Sequence, residues 1–393
     1  MKPLVSAKKI VFITEYYPPH IGGLERFFKN LAEGLAKAGH RPVVITSRQA
    51  GTKKEEFVNG VEIKRVSVPR LGDRYWFTIA AILKTIRDSK DADIIHTTTY
   101  NGAFPAWICA RLLSKPVVIT VHEVVGDNWR GTGLNPLAAG LLAVLEKMVL
   151  KLPFDRFICN SSSTLSSLRK AGVRGDNALF IYHGIDNALF DAKRRVPADD
   201  RIRALLGIGK GAFLYIFFGR PGYVKGVEFL IRAVPLIKEM VPDSTALLIL
   251  SKKPERGRRR AESLISDLKL ERGKDIIVLD PVSEDELPYY IGSSDCVVVP
   301  SISEGFGFTC AEACAMERPV VASNTTSIPE VVSGSFVLVE PAKPSAIAEG
   351  VAKVFRKDFV VTDKKIFLWA DTVRRHIEVY AELLGEKDLK HGQ

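Results

Sequence analysis

A chain of 393 residues with 46% hydrophobic and 26% charged content is long enough to fill two cores, which excludes wholesale disorder. No apolar run reaches the roughly 18 residues that cross a bilayer, and Cys109, Cys159, Cys296, Cys310 and Cys314 all sit in apolar surroundings that fit buried thiols, not a disulfide framework. The net charge of +11 is uneven: residues 1–190 hold 26 Lys and Arg against 16 Asp and Glu, whereas residues 191–393 hold 30 against 29.

In chain order, KKIVFITEYYPP is a β-rich run stopped by two prolines, GGLERFFKNLAEGLAKAGH has helical periodicity closed by Gly39, and RPVVITS is a further strand. That is a βαβ unit. ADIIHTTT, KPVVITVHE and DRFICNSSS continue the alternation as short strands ending in polar residues, the pattern of a parallel sheet covered by helices. Residues 187–212 carry no strand and dense charge, and read as a domain connection. After them AFLYIFFGR, a helix over 226–240, STALLILS, a helix near 259–270, DIIVLD, DCVVVPS and PVVASN predict a second parallel sheet. The expected domains are 1–187 and 188–371, both Rossmann-like, with the final amphipathic helix packing back on the first through Val373, Ile377, Tyr380 and Leu384.

In open parallel sheets ligands bind beyond the carboxyl ends of the strands. After the first strand, Gly22 and Gly23 precede a helix, as a plain turn or as N–H groups facing an anion. In RPGYVKG, Arg220 and Lys225 follow a strand end and form either a solvent-facing basic loop or a pair of cations for a diphosphate. SEGFGFTCAEA follows DCVVVP: Gly305 and Gly307 allow close backbone approach at a helix N-terminus, and Glu304 and Glu312 are placed to accept hydrogen bonds from hydroxyls. N–H groups for phosphate beside carboxylates for hydroxyls describe a sugar nucleotide; the alternative is a bend with a surface glutamate. His122 ends a strand at the same edge and reads equally as structural or functional. Scattered histidines and the absence of CxxC or HExxH give no metal site.

Taken in order and spacing, GGLERF, TVH, HGIDNALF, GRPGYVKG and SEGFGFTCAEA resemble the retaining GT-B glycosyltransferases of family 4 over nearly the whole chain. The resemblance implies an α/β GT-B architecture, two facing Rossmann-like domains with an interdomain cleft. It also implies metal-independent hexosyl transfer from a nucleotide sugar, UDP- or GDP-linked, taken as substrate with no cofactor. By that resemblance Arg220 and Lys225 bind the diphosphate, Glu312 the ribose and Glu304 the transferred sugar. The backbone at Phe306, Gly307 and Phe308 meets sugar and phosphate, Gly23 abuts the diphosphate, and His122 lies beside the sugar. Two departures stand out: LLILSKKPERGRRR replaces a glycine-rich turn, and His183 stands where asparagine is common.

The basic first half fits an acceptor at an anionic membrane, such as a lipid-linked glycan, or a merely solvated surface. VPRLGDRYWFTIAAILKTIR, with Arg70, Arg74, Tyr75, Trp76, Phe77, Lys84 and Arg87, mixes cations and aromatics like an interfacial segment, and equally like a core helix with a basic rim. A cytoplasmic enzyme, peripheral at the inner membrane face and with no nucleic-acid partner, is expected. Glutamine only at Gln49 and Gln393 hints at a thermophilic source. An enzyme making a soluble product, a nucleotide-sugar epimerase and a non-catalytic sugar-binding protein remain as rival readings.

Overall fold

The computed structural model describes residues 6–386 except 21, 70, 127–128, 130–134, 174, 196–198 and 210. They form two compact units, the first running to Gly184 and resuming at Leu368, the second Ile185–Phe367, where the sequence reading divided the chain at 187–188 and 371–372.

The first unit contains β1 (Lys9–Ile13), α1 (Gly23–Lys37), β2 (Arg41–Ser47), β3 (Glu55–Val58), β4 (Val61–Val66), α2 (Asp73–Asp88), β5 (Ile94–Thr98), α3 (Ala103–Leu113), β6 (Val117–Val121), α4 (Pro136–Lys151), β7 (Arg156–Cys159), α5 (Ser162–Lys170) and β8 (Ala178–Phe180). Its sheet order is β3-β4-β2-β1-β5-β6-β7-β8. The second contains α6 (Asp199–Leu205), β9 (Phe213–Gly219), α7 (Val227–Met240), β10 (Ser244–Leu250), α8 (Glu255–Asp267), β11 (Ile276–Leu279), α9 (Leu287–Ser293), β12 (Cys296–Val299), α10 (Phe308–Ala315), β13 (Val320–Ser323), α11 (Ile328–Val331), β14 (Ser335–Val339), α12 (Pro344–Phe355) and β15 (Val360–Val361), in the order β11-β10-β9-β12-β13-β14-β15. α13 (Trp369–Leu383) returns to the first unit and packs on α1.

Both sheets are parallel except at one edge, where β3 pairs antiparallel with β4 and β15 with β14. The expectation of parallel sheets is corrected there. The β3–β4 turn is Asn59-Gly60, both at positive φ, the dipeptide that matches hairpin twist. The basic helix starts at Glu255, four residues before the predicted 259, and it follows a cis Lys253–Pro254 bond.

Successive residues of a strand point to opposite faces. In the first unit Val11, Ile13, Val43 and Ile45 face the layer of α2, α3, α4 and α5. Ile10, Phe12 and Val44 face α1 and α13. Of the α13 residues predicted to pack, Val373 and Tyr380 are buried and Ile377 and Leu384 half-buried against that second core.

The strand orders place the site. Each sheet reverses its winding once, between β1 and β5 in the first unit and between β9 and β12 in the second. At such a switch point the loops leaving two adjacent strands diverge and open a crevice at their carboxyl ends.

Candidate active site

In the second unit β9 ends at Gly219, exposed Arg220 follows, and a short 3-10 turn, Tyr223–Lys225, leads through Gly226 into α7. Gly226 lies at φ 70°, and a Cβ there would stand 1.8 Å from the Pro300 carbonyl oxygen just past β12. Only glycine permits that conformation and that approach. The Ile302 N–H donates to the Val224 carbonyl at 2.8 Å, so the loops after β9 and β12 are clamped across the switch point.

The clamp brings Lys225 to Glu304. The Lys225 ammonium donates to both carboxylate oxygens, at 2.7 and 2.8 Å, and the Ser301 hydroxyl donates to Oε1 at 2.7 Å. Glu304 is 9% exposed. Its N–H donates to the Thr326 hydroxyl at 2.9 Å, and its carbonyl accepts from the Ser327 hydroxyl at 2.9 Å. Both ends of this residue are therefore fixed before any ligand arrives. Lys225, read from sequence with Arg220 as one of two loop cations, is half of an ion pair, whereas exposed Arg220 has no ion pair among the described residues.

Next, Gly307 at φ 94° opens α10. A Cβ there would meet only ordinary contacts, so conformation, not space, demands glycine. Phe306 packs edge-on against Phe308 and Phe367, with centroids 5.3 and 5.2 Å away; these rings hold the loop and leave the backbone as its polar surface. Glu312, 3% exposed, sits one turn into α10 on its buried side, not on a solvent face. Cys310 and Cys314 flank it as buried free thiols, as expected, the latter accepting from the Ser333 N–H at 3.4 Å.

The basic stretch after β10, running into α8, also forms ion pairs. Lys252 and Arg258 meet Asp280 at 3.3 and 2.8 Å, holding its carboxyl below the usual range. Arg260 reaches buried Glu228 at 2.9 Å.

In the first unit the extended Gly22 precedes α1, and a Cβ on it would lie 2.2 Å from Glu25 Oε2. Glu25, itself nearly buried, is paired with His20 Nδ1 at 2.9 Å. The N-terminus opened by Gly22 and Gly23 thus already holds a carboxylate. His122 follows β6, its carbonyl accepting from Asn160 Nδ2 at 2.9 Å. Its ring lies edge-on to Phe27, centroid 5.3 Å away, and 5.4 Å from His183. Burial pushes its pKa down to about 4, although Glu25 pulls the other way, so at neutral pH the imidazole is uncharged. Its shielded Nε2 has no hydrogen-bond partner among the described residues. His183 stacks on Phe27 at 4.3 Å, which accounts for an aromatic ring at that position.

One cluster escaped the sequence reading. Glu15, just beyond β1 and 7% exposed, accepts from Arg74 Nε at 2.9 Å and from Asn101 Nδ2 at 2.5 Å, joining the loops after β1 and β5 across the first switch point. An acidic residue two positions past a strand was its signal; strand order gave it meaning.

Two Rossmann-like units, each with a polar cluster at its switch point, define the class of α/β enzymes that bind ligands beyond strand ends. Residues 21–189 match the model of Glycosyltransferase Family 4 and residues 212–357 that of Glycosyl transferases group 1. The chain belongs to this glycosyltransferase family and is of the GT-B type. It is 28% identical to an uncharacterized glycosyltransferase of Methanocaldococcus jannaschii over 96% of this chain and 100% of the relative. It is 24% identical to a D-inositol 3-phosphate glycosyltransferase of Thermomonospora curvata over 93% and 91%. Among solved structures, sucrose-phosphate synthase from Thermosynechococcus elongatus superposes with TM-score 0.78 at 21% identity, covering 96% of this chain and 99% of that one. An Anabaena protein in complex with UDP and glucose superposes with TM-score 0.73 at 19% identity, covering 95% and 100%.

Proposed function

We propose that the chain transfers a hexosyl group from a nucleoside diphosphate sugar to an acceptor hydroxyl with retention of anomeric configuration. The observation that carries this reading is the Lys225–Glu304 pair, fixed at the switch point beside exposed Arg220. The bond between the anomeric carbon and the phosphate oxygen breaks, the acceptor oxygen bonds to that carbon from the face the diphosphate leaves, and the acceptor proton departs with the phosphate. Preorganised cations stabilise such a departing charge without reorganising. Arg220, with its fork of donors, and Lys225 take the diphosphate, and Glu304 orients the sugar hydroxyls. Glu312 meets the ribose, and the backbone of Phe306, Gly307 and Phe308 meets sugar and phosphate. Gly23 abuts the diphosphate, and neutral His122 offers the sugar an uncharged hydrogen bond. With two cations serving the leaving group, no divalent metal is required, so chelator leaves the rate unchanged.

The Anabaena neighbour was solved with UDP and glucose, which makes uridine donors the first to try, with guanosine donors next, in an enzyme acting in the cytoplasm. The acceptor is a glycan precursor, lipid-linked or soluble. The test is the melting temperature with UDP, GDP, ADP and their sugar conjugates. A ligand at about 100 times its Kd stabilises by about 2.7 kcal/mol, so one nucleotide raises the melting point of the wild type and not of Arg220→Ala. No shift with any nucleotide, or an equal shift in the variant, refutes the donor site.

A further inference from the structure

The α2–α3–α4 layer of the first unit has an outer face unlike the rest of that unit. On α4, Leu137, Leu141, Val144 and Met148 are 51–88% exposed and follow one another at helical spacing, so they form a single stripe. On α2, Tyr75, Trp76, Ile79 and Leu83 do the same at 50–80% exposure, and on α3 Leu112 is 66% exposed. The inner sides of all three helices enter one core, through Phe77, Ala106 and Val149; the exposed residues therefore share one side of the sheet. The opposite layer, α1 and α13, exposes no large apolar side chain among its described residues. Clustering of this size on one layer marks a contact surface.

The charge on the layer selects the occupant. Arg74, Arg87, Arg111, Lys147 and Lys151 are exposed, whereas the acidic residues of the three helices are not. Asp88 pairs with Lys84 at 2.9 Å. Asp73 accepts from the Tyr16 hydroxyl at 2.9 Å. Glu146 is buried, taking the Val125 and Gly126 N–H groups at 2.9 and 2.7 Å. A two-fold contact between copies would set this cationic face on itself, and the three helices carry no exposed acid among their described residues to offset it. Arg74 and Arg87 are paired with Glu15 and Asp88 at 2.9 and 3.2 Å, whereas Arg111, Lys147 and Lys151 have no ion pair among the described residues. Apolar stripes flanked by such exposed cations, with Trp and Tyr beside them, fit an anionic bilayer surface, where the rings and aliphatic chains enter the headgroup boundary and each cation adds attraction.

We propose that the outer face of α2, α3 and α4 docks the protein peripherally on an anionic lipid bilayer. Whichever donor and acceptor the chain uses, this surface stands on its own residues. The sequence segment with Trp76 is both of its alternatives at once: Phe77 is core, and Tyr75 and Trp76 are surface. Arg70 lies outside the described residues.

The experiment is sedimentation of the full chain with vesicles of phosphatidylcholine alone or with about one-third phosphatidylglycerol, at low and high salt. The wild type is expected to bind the anionic vesicles at low salt. Leu141→Glu/Met148→Glu and Lys147→Glu/Lys151→Glu should each weaken binding on the order of tenfold, with unchanged melting temperatures because all four side chains are exposed. Met240→Glu/Phe355→Glu, on the second unit, should bind like wild type. Failure of the wild type to bind, or equal binding by the layer variants, overturns the proposal. So does a wild-type dimer by light scattering that Leu141→Glu/Met148→Glu dissolves. Sedimentation reads no catalysis, so its failure is distinct from failure of the transferase reading.

Discussion

The two switch points do comparable structural work with different chemistry. In the second unit the loops after β9 and β12 are joined by a charged pair and hydroxyls: Lys225, Glu304, Ser301, Thr326 and Ser327. In the first, Glu15 ties β1 to β5 through Arg74 and Asn101, but the space behind it, under α1 and α13, is filled by rings. There Phe27 and Phe28 meet His96, His122, His183 and His376, with His96 held between the Tyr380 hydroxyl at 2.6 Å and the Thr120 hydroxyl at 2.8 Å. The contrast teaches that charged side chains tie the loops at each switch point, whereas the ring cluster of the first unit depends on charges being absent.

Acid gives the largest effect. Burial lowers the pKa of His122 and His376 to about 4, and holds His96 and His183 well below the usual value of 6.5. Below pH 6.5 the unfolded chain binds protons that the folded unit refuses. Stability is therefore complete above that pH and falls as the pH drops towards the folded values, by up to about 1.4 kcal/mol per unit for each histidine. Denaturant midpoints stepped from pH 7 to about 4.5 should show the fall, with a shallower slope in His376→Phe. An equal slope in that variant removes the histidines from the comparison.

Gly226→Ala comes next. Its Cβ would meet the Pro300 backbone at 1.8 Å in a left-handed conformation, so the switch-point clamp should open at a cost of at least about 3 kcal/mol in urea unfolding. A cost below about 1 kcal/mol contradicts the clamp.

Lys225→Ala should slow transfer on the order of a hundredfold through loss of leaving-group stabilisation. Its effect and that of Glu304→Gln should be non-additive, because the two side chains touch. Strict additivity in a double-mutant cycle breaks the pair as a unit.

Gly34→Ala has the smallest effect. Its Cβ would lie 2.4 Å from Val373 Cγ2 on α13, a side chain able to shift, so about 1 kcal/mol is expected. Faster amide exchange in α13 than in α12 would locate the damage at the α1–α13 contact.

Much of this was legible because it is local. Strand runs such as IVFIT and LYIFF, and the polar residues that stop them, follow from periodicity and from the burial of parallel strands on both faces. The glycines of RPGYVKG and SEGFGF, and the acid–base residues beside them, were visible as strand-end loops. The hairpin was signalled by Asn59-Gly60 and passed over, since its strands lie at the sheet edge and lack the apolar run of the central ones. The pairing of Lys225 with Glu304, 79 residues apart, was not legible, nor was that of Glu15 with Asn101. Each depends on which strands are neighbours.

By itself, then, the sequence determined the alternation of strands and helices, the strand ends at which chemistry can gather, and the residue types found there. Tertiary structure decided which loops meet, turning one of two loop cations into half of an ion pair and a flanking acid into a bridge across β1 and β5. It also decided which helix faces are bare: α2 and α13 both read as amphipathic, yet α13 is packed on α1 while α2 leaves Tyr75, Trp76, Ile79 and Leu83 exposed. Periodicity records that a helix has an apolar side; only the order of strands and the layers on each face of the sheet establish whether anything covers it.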